Sequence, residues 1–86
     1  MAEILFTKHS LKRCDERGIS FDEIKATLSS SRWIKVKYAR YSALKIFNCN
    51  QCFVDTFYNR KEVKVIFCKE DDRIIVITVI ARYFKE

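Results

Sequence analysis

The sequence predicts an α+β domain in which two N-terminal helices pack on one face of a twisted, mostly antiparallel sheet of four or five strands. Three observations carry that expectation. Apolar residues recur at helical spacing as far as Ser29 and alternate with a period of two from Arg32 onwards. The 86 residues contain no proline and one glycine, so nothing marks a linker or a second unit. Hydrophobic residues make up 49% of the chain, enough for one core and too many for a disordered segment. A single domain over residues 1–86 is expected.

Glu3 to Phe6 reads as a short edge strand. Thr7 is the expected N-cap of a first helix from Lys8 to Arg17, because its hydroxyl can accept from a free N–H of the first turn. Gly18 stands where a helix ends in the left-handed conformation. Ser20 then opens a second helix, with Glu23 completing a capping box and Phe21, Ile24 and Leu28 on one face. Ser29-Ser30-Ser31 is expected to end it.

From Arg32 the period changes. Ile34, Val36 and Tyr38 point to one side of a strand, and Trp33, Lys35 and Lys37 to the other. Ala43 to Phe47 and Cys52 to Tyr58 are expected to be the arms of a hairpin turning at Asn48-Cys49-Asn50-Gln51. Glu62 to Cys68 and Arg73 to Tyr83 form another, turning at Glu70-Asp71-Asp72, since aspartate tolerates turn geometry. Strict alternation puts Ile75, Ile77, Val79 and Ala81 on one face of the last strand, and Ile74, Val76, Thr78, Ile80 and Arg82 on the other. A strand apolar on both sides belongs in the middle of a sheet. Thr78 and Arg82 interrupt it and mark a place to look for a site.

The strongest chemical signal lies in HSLKRCDERGISFD, residues 9–22. His9, Arg13 and Arg17 recur every four residues and form one column on a helix. His9 is the only histidine, and histidine is the side chain that ordinarily changes charge near neutral pH. An imidazole above two guanidiniums suits holding a phosphate and moving a proton beside it. The same column also suits arginine stems laid along the edge of a core, with their charges in water.

The net charge is +6, and one stretch supplies it. Between Glu23 and Asp55 there is no acidic residue, while Lys25, Arg32, Lys35, Lys37, Arg40 and Lys45 fall within it. Trp33, Tyr38 and Tyr41 are interleaved with them. Cations and aromatic rings together can neutralise phosphates and stack on unpaired bases. A solvated strand face that keeps a small protein in solution would look the same.

Four cysteines are many for this length. Cys49 and Cys52 have the Cys-x-x-Cys spacing of a zinc knuckle or redox pair, but no second short-spaced pair accompanies them. Cys14 and Cys68 lie among apolar neighbours and read as small core residues. No metal site and no cofactor are expected, and a domain stabilised by zinc or a disulfide at Cys49 and Cys52 is the alternative. The stretch from Ile74 to Ala81 is far short of the ~20 apolar residues of a membrane span. MAEILF lacks the pattern of a signal peptide, so a cytoplasmic protein without membrane contact is the expectation.

The segment FTKHSLKRCDERGISFDEI, followed at the far end by RIIVITVIARYF, resembles a family of small uncharacterised prokaryotic domains. That family is marked by a first helix with histidine and arginine, an Arg-Gly-Ile-Ser step and a last strand with threonine. Gly-Ile-Ser-Phe-Asp-Glu is also similar to the BrnT toxins, and the architecture looks like the RelE/ParE toxin group. Those share the wider barnase, EndoU, colicin and RelE ribonuclease-like fold. The resemblance implies a toxin of a toxin–antitoxin pair that cleaves RNA, free or on the ribosome, with a small acidic antitoxin as its partner. RelE-type enzymes rely on basic residues and often a tyrosine near the C-terminal strand. Arg82 matches that pattern loosely, whereas alternation turns Tyr83 to the opposite face. ParE-type members attack gyrase, so the fold leaves the chemistry open.

The expected activity is metal-independent RNA cleavage by attack of the ribose 2′-hydroxyl on its own phosphate. His9 would act as base or acid, and Arg13, Arg17 and Arg82 would hold phosphate oxygens on one shared surface. Trp33, Lys35, Lys37, Arg40 and Lys45 would bind the flanking strand. The alternative is a non-catalytic nucleic-acid- or protein-binding module of the same fold, in which the column is structural or a docking patch.

Overall fold

A computed structural model describes residues 3–30, 32–53 and 55–86, and Ser31 in the expected end of the second helix lies outside them. The elements are β1 (Glu3–Phe6), α1 (Lys8–Arg17), α2 (Phe21–Ser30), β2 (Ile34–Val36), β3 (Arg40–Phe53), β4 (Thr56–Glu70) and β5 (Arg73–Phe84). The strands form one open sheet in the order β1-β5-β4-β3-β2. β1 runs parallel to β5, and every other pair is antiparallel. The fold is α+β, with both helices on the same face of a mixed sheet.

Local chemistry explains the helical segment. Thr7 Oγ1 accepts from the Ser10 N–H at 3.1 Å, and the buried Ser10 hydroxyl donates back to the Thr7 carbonyl at 2.9 Å. Gly18 closes α1 at φ 63°, where a β-carbon would strain the backbone. Space is not the constraint there, since that β-carbon would come no closer than 3.8 Å to Tyr83. The capping box forms in both directions: Glu23 N–H donates to Ser20 Oγ, and Ser20 N–H donates to Glu23 Oε1. Ile24 and Leu28 of α2 then enter the core with Ile19, Ala43, Val63, Val65, Phe67 and Val79.

Three expectations are corrected. β3 runs straight through Asn48-Cys49-Asn50-Gln51 and its hairpin closes at Asp55, which takes φ 64°. The polar stretch is instead a slip in pairing between Asn48 and Gln51, the extra length that a bulge inserts into one strand. The second correction concerns Ile34 to Tyr38. β2 stops at Val36, because Tyr38 and Ala39 both turn left-handed, at φ 64° and 56°, and bring Arg40 back opposite Val36. Neither residue favours that conformation, so composition gave no sign of the turn.

The third correction concerns β5. Its register with β4 shifts at Ile77, since Thr78 pairs with Ile66 while Val76 pairs with Phe67. One face therefore buries Ile74, Val76 and then Val79, rather than a strict alternation. β1 flanks β5 only from Arg73 to Val76, so β5 is interior for a third of its length. Beyond that, α1 borders the open edge, and Thr7 Oγ1 donates to the Ile77 carbonyl at 3.4 Å.

Candidate functional site

The shift at Ile77 puts Thr78 and Arg82 on the face of the sheet away from the helices, opposite Ile66 and Glu62. His9 reaches that side from the start of α1. Its Nε2 lies 3.2 Å from Thr78 Oγ1, and the residue is exposed. Arg82 stands four residues further on, about 13 Å of extended strand. Its guanidinium donates to Glu62 Oε2 at 3.0 Å, a carboxylate that holds the positive charge more firmly.

The rest of the column divides. Arg13 donates to Glu16 Oε1 at 2.8 Å across the surface of α1. Arg17 turns inward and donates to the Val79 carbonyl at 2.5 Å, satisfying an edge acceptor of β5 that no strand covers. Exposed ion pairs such as those of Arg13 and Arg82 are screened by water and add little to stability, so either arginine can exchange its carboxylate for a phosphate. Arg17 cannot do so without leaving a backbone acceptor bare.

The basic segment occupies the other edge of the sheet, three strand spacings from β5, or about 14 Å. Two of its expected contact residues are turned elsewhere. Trp33 donates from Nε1 to the Leu28 carbonyl at 3.0 Å and stands edge-on to Phe67 at 4.9 Å, so its ring serves the core. Lys45 lies over the Phe47 ring at 5.7 Å, on the helix side of the sheet. Lys35, Lys37 and Arg40 surround the β2–β3 turn, and no ion pair among the described residues engages them. Tyr38 projects from that turn and is 84% exposed.

Sequence reasoning missed Lys61. Its ammonium, almost wholly buried, donates to the Gly18 carbonyl at 2.5 Å and to Glu23 Oε1 at 2.9 Å. Burial alone would raise the Glu23 pKa, but the Ser20 N–H and the Lys61 charge outweigh it and hold the carboxyl below the usual range. The signal was present: Lys61 shares its face of β4 with Val63, Val65 and Phe67. A cleft of about 540 Å³ opens beside it, between Arg17 and Tyr83. Asp15 and Glu16 also line this cleft, and the donors of Arg17 and Lys61 serve backbone carbonyls and Glu23. That makes it a poor anion site.

All four cysteines are free thiols. Cys49 donates to the Tyr58 carbonyl at 3.7 Å, and burial pushes the Cys14 thiol up. Among the described residues no three of histidine, cysteine, aspartate and glutamate converge as metal ligands would. No described helix is long and apolar enough to cross a membrane.

The architecture defines a small α+β domain with helices on one face of an open mixed sheet. Residues 6–81 match the DUF4258 family, a domain of unknown function, and the chain belongs to that family. No curated protein and no solved structure matches it.

Proposed function

We propose that this domain binds single-stranded RNA at the β2–β3 edge. One observation carries the reading: no described ion pair engages Lys35, Lys37 and Arg40 around an exposed tyrosine, while Arg13, Arg17 and Arg82 of the α1–β5 edge each have a protein partner. Unpaired ammonium and guanidinium groups can neutralise phosphates, and the Tyr38 ring offers a flat face to one unpaired base. Such stacking is sequence-tolerant and contributes about 1–3 kcal/mol per base. The reading is tested by titrating a single-stranded oligoribonucleotide at several salt concentrations. Tyr38→Ala should weaken binding by about 1–3 kcal/mol. Changing Lys35 and Lys37 together to Ala should flatten the slope of log K against log salt by about 1.4, since each lost phosphate contact removes about 0.7. An unaltered slope in the double variant would refute the reading.

A second reading, RNA cleavage of the kind the BrnT and RelE resemblance implies, is favoured by His9 and Thr78. An exposed imidazole held by a hydroxyl 3.2 Å away is oriented and still open to a substrate. In that reaction His9 would relay the proton of the attacking 2′-hydroxyl or of the leaving oxygen, and Arg13 and Arg82 would meet phosphates by exchanging their carboxylates. A small acidic antitoxin would be the partner of such an enzyme.

A further inference from the structure

Among the described residues no element covers the sheet face away from the helices, and large apolar side chains stand on it among a few charges. A sheet exposed on one side ordinarily turns polar residues outward. Here Ile34, Leu44, Ile46 and Ile80 are turned outward, each more than 40% exposed. Large apolar side chains grouped on one exposed face mark a contact site.

One charge in its middle decides what can cover it. Lys64 pairs directly with Ile80 on one side and Leu44 on the other. Glu62, the nearest carboxylate on that face, is already bonded to Arg82, and no described ion pair engages Lys64. Covering the face would strip water from the Lys64 ammonium, and an ammonium buried without a counter-charge costs several kcal/mol. The covering surface must therefore bring a carboxylate. A second copy of this chain would bring another Lys64, a Glu62 already held by its own Arg82, and another charge of +6. A nucleic acid would lay its bases on aliphatic side chains, whereas base stacking uses aromatic rings.

We propose that this face docks an acidic, amphipathic protein segment, with apolar side chains on Leu44, Ile46 and Ile80 and a carboxylate over Lys64. The inference is independent of RNA binding, which uses the cations of the β2–β3 turn.

Synthetic peptides test it on the intact chain. One is an amphipathic helix of leucine and glutamate; a second replaces glutamate by lysine, and a third replaces leucine by serine. The leucine–glutamate peptide should bind, and the other two should not. Lys64→Glu should weaken that binding at least about tenfold and transfer it to the leucine–lysine peptide. That gain of binding cannot come from misfolding. Leu44→Asp should weaken binding to either peptide while oligoribonucleotide binding is retained. Equal binding of the two charged peptides, or Lys64→Glu without effect, would overturn the proposal. So would sedimentation showing a dimer that Ile46→Asp dissociates, or an oligoribonucleotide that displaces the bound peptide.

Discussion

The arginines of the α1–β5 edge and the cations of the β2–β3 edge are put to different uses. At the α1–β5 edge, Arg17 caps the Val79 carbonyl, Lys61 ties the end of α1 to the start of α2, and Arg13 and Arg82 sit in ion pairs. At the β2–β3 edge, no described ion pair engages Lys35, Lys37 and Arg40. The difference shows that positive charge in a sequence does not by itself locate an anion site. A cation beside bare carbonyls at an uncovered strand edge is drawn into the fold. A cation on a two-stranded projection is left to the solvent.

The largest expected effect would break this division. If the α1–β5 edge is an active site, His9→Ala should lower the rate of RNA cleavage by about 10²–10⁴ and leave thermal stability unchanged. Cleavage should persist in EDTA, and the Lys35/Lys37 double variant should retain its rate at saturating RNA. Full activity of the His9→Ala protein would leave this edge with a structural role alone.

Stability measurements sharpen the contrast. Lys61→Ala should cost about 3 kcal/mol in chemical denaturation, the low end for breaking a buried pair because Glu23 keeps some solvent contact. Lys35→Ala and Lys37→Ala should each fall within about 0.5 kcal/mol of the parent. The same pair sets a pH dependence. The folded pKa of Glu23 is depressed, so its contribution is complete above the ordinary glutamate range and is lost as pH falls through the folded value. Glu23→Gln should flatten the acid limb of an unfolding-midpoint profile, and an unchanged limb would assign acid sensitivity elsewhere.

Smaller effects follow. Arg17→Ala should cost about 1.5–3 kcal/mol, the contribution of a charged donor to a backbone acceptor. Arg13→Ala, which removes an exposed pair, should cost about 0–1 kcal/mol. The smallest lies at the other edge. Ala39 holds φ 56° without being glycine, so Ala39→Gly should raise stability by up to about 1 kcal/mol with oligoribonucleotide affinity retained. A loss of stability would show that the turn is not strained.

Helix boundaries were legible because they are written in adjacent residues. Thr7, Gly18, Ser20 and Glu23 act on backbone groups no more than a few positions away, and the structure uses each as its chemistry suggests. Period-two alternation likewise marked the strands. It failed where one extra residue enters a strand, at Ile77 and at Cys49-Asn50, because a bulge depends on the partner strand and leaves no composition of its own. Tyr38-Ala39 was hidden for a related reason: the turn holds residues that would not choose it alone.

The candidate site was legible only in part. Spacing on α1 put His9, Arg13 and Arg17 in one column, and the interruption of β5 pointed to Thr78. Which of those groups stays accessible depended on contacts between residues more than 60 positions apart, His9 with Thr78 and Arg17 with Val79. The sequence by itself determined the fold class, the two helices with their caps, and the concentration of charge in one segment. These follow from local backbone chemistry and side-chain period. Only the tertiary structure decided which cations are built into the protein and which remain available, and that Ile34, Leu44, Ile46 and Ile80 stand exposed on one face of the sheet. Pairing register and edge coverage set those outcomes, and both depend on where distant parts of the chain meet.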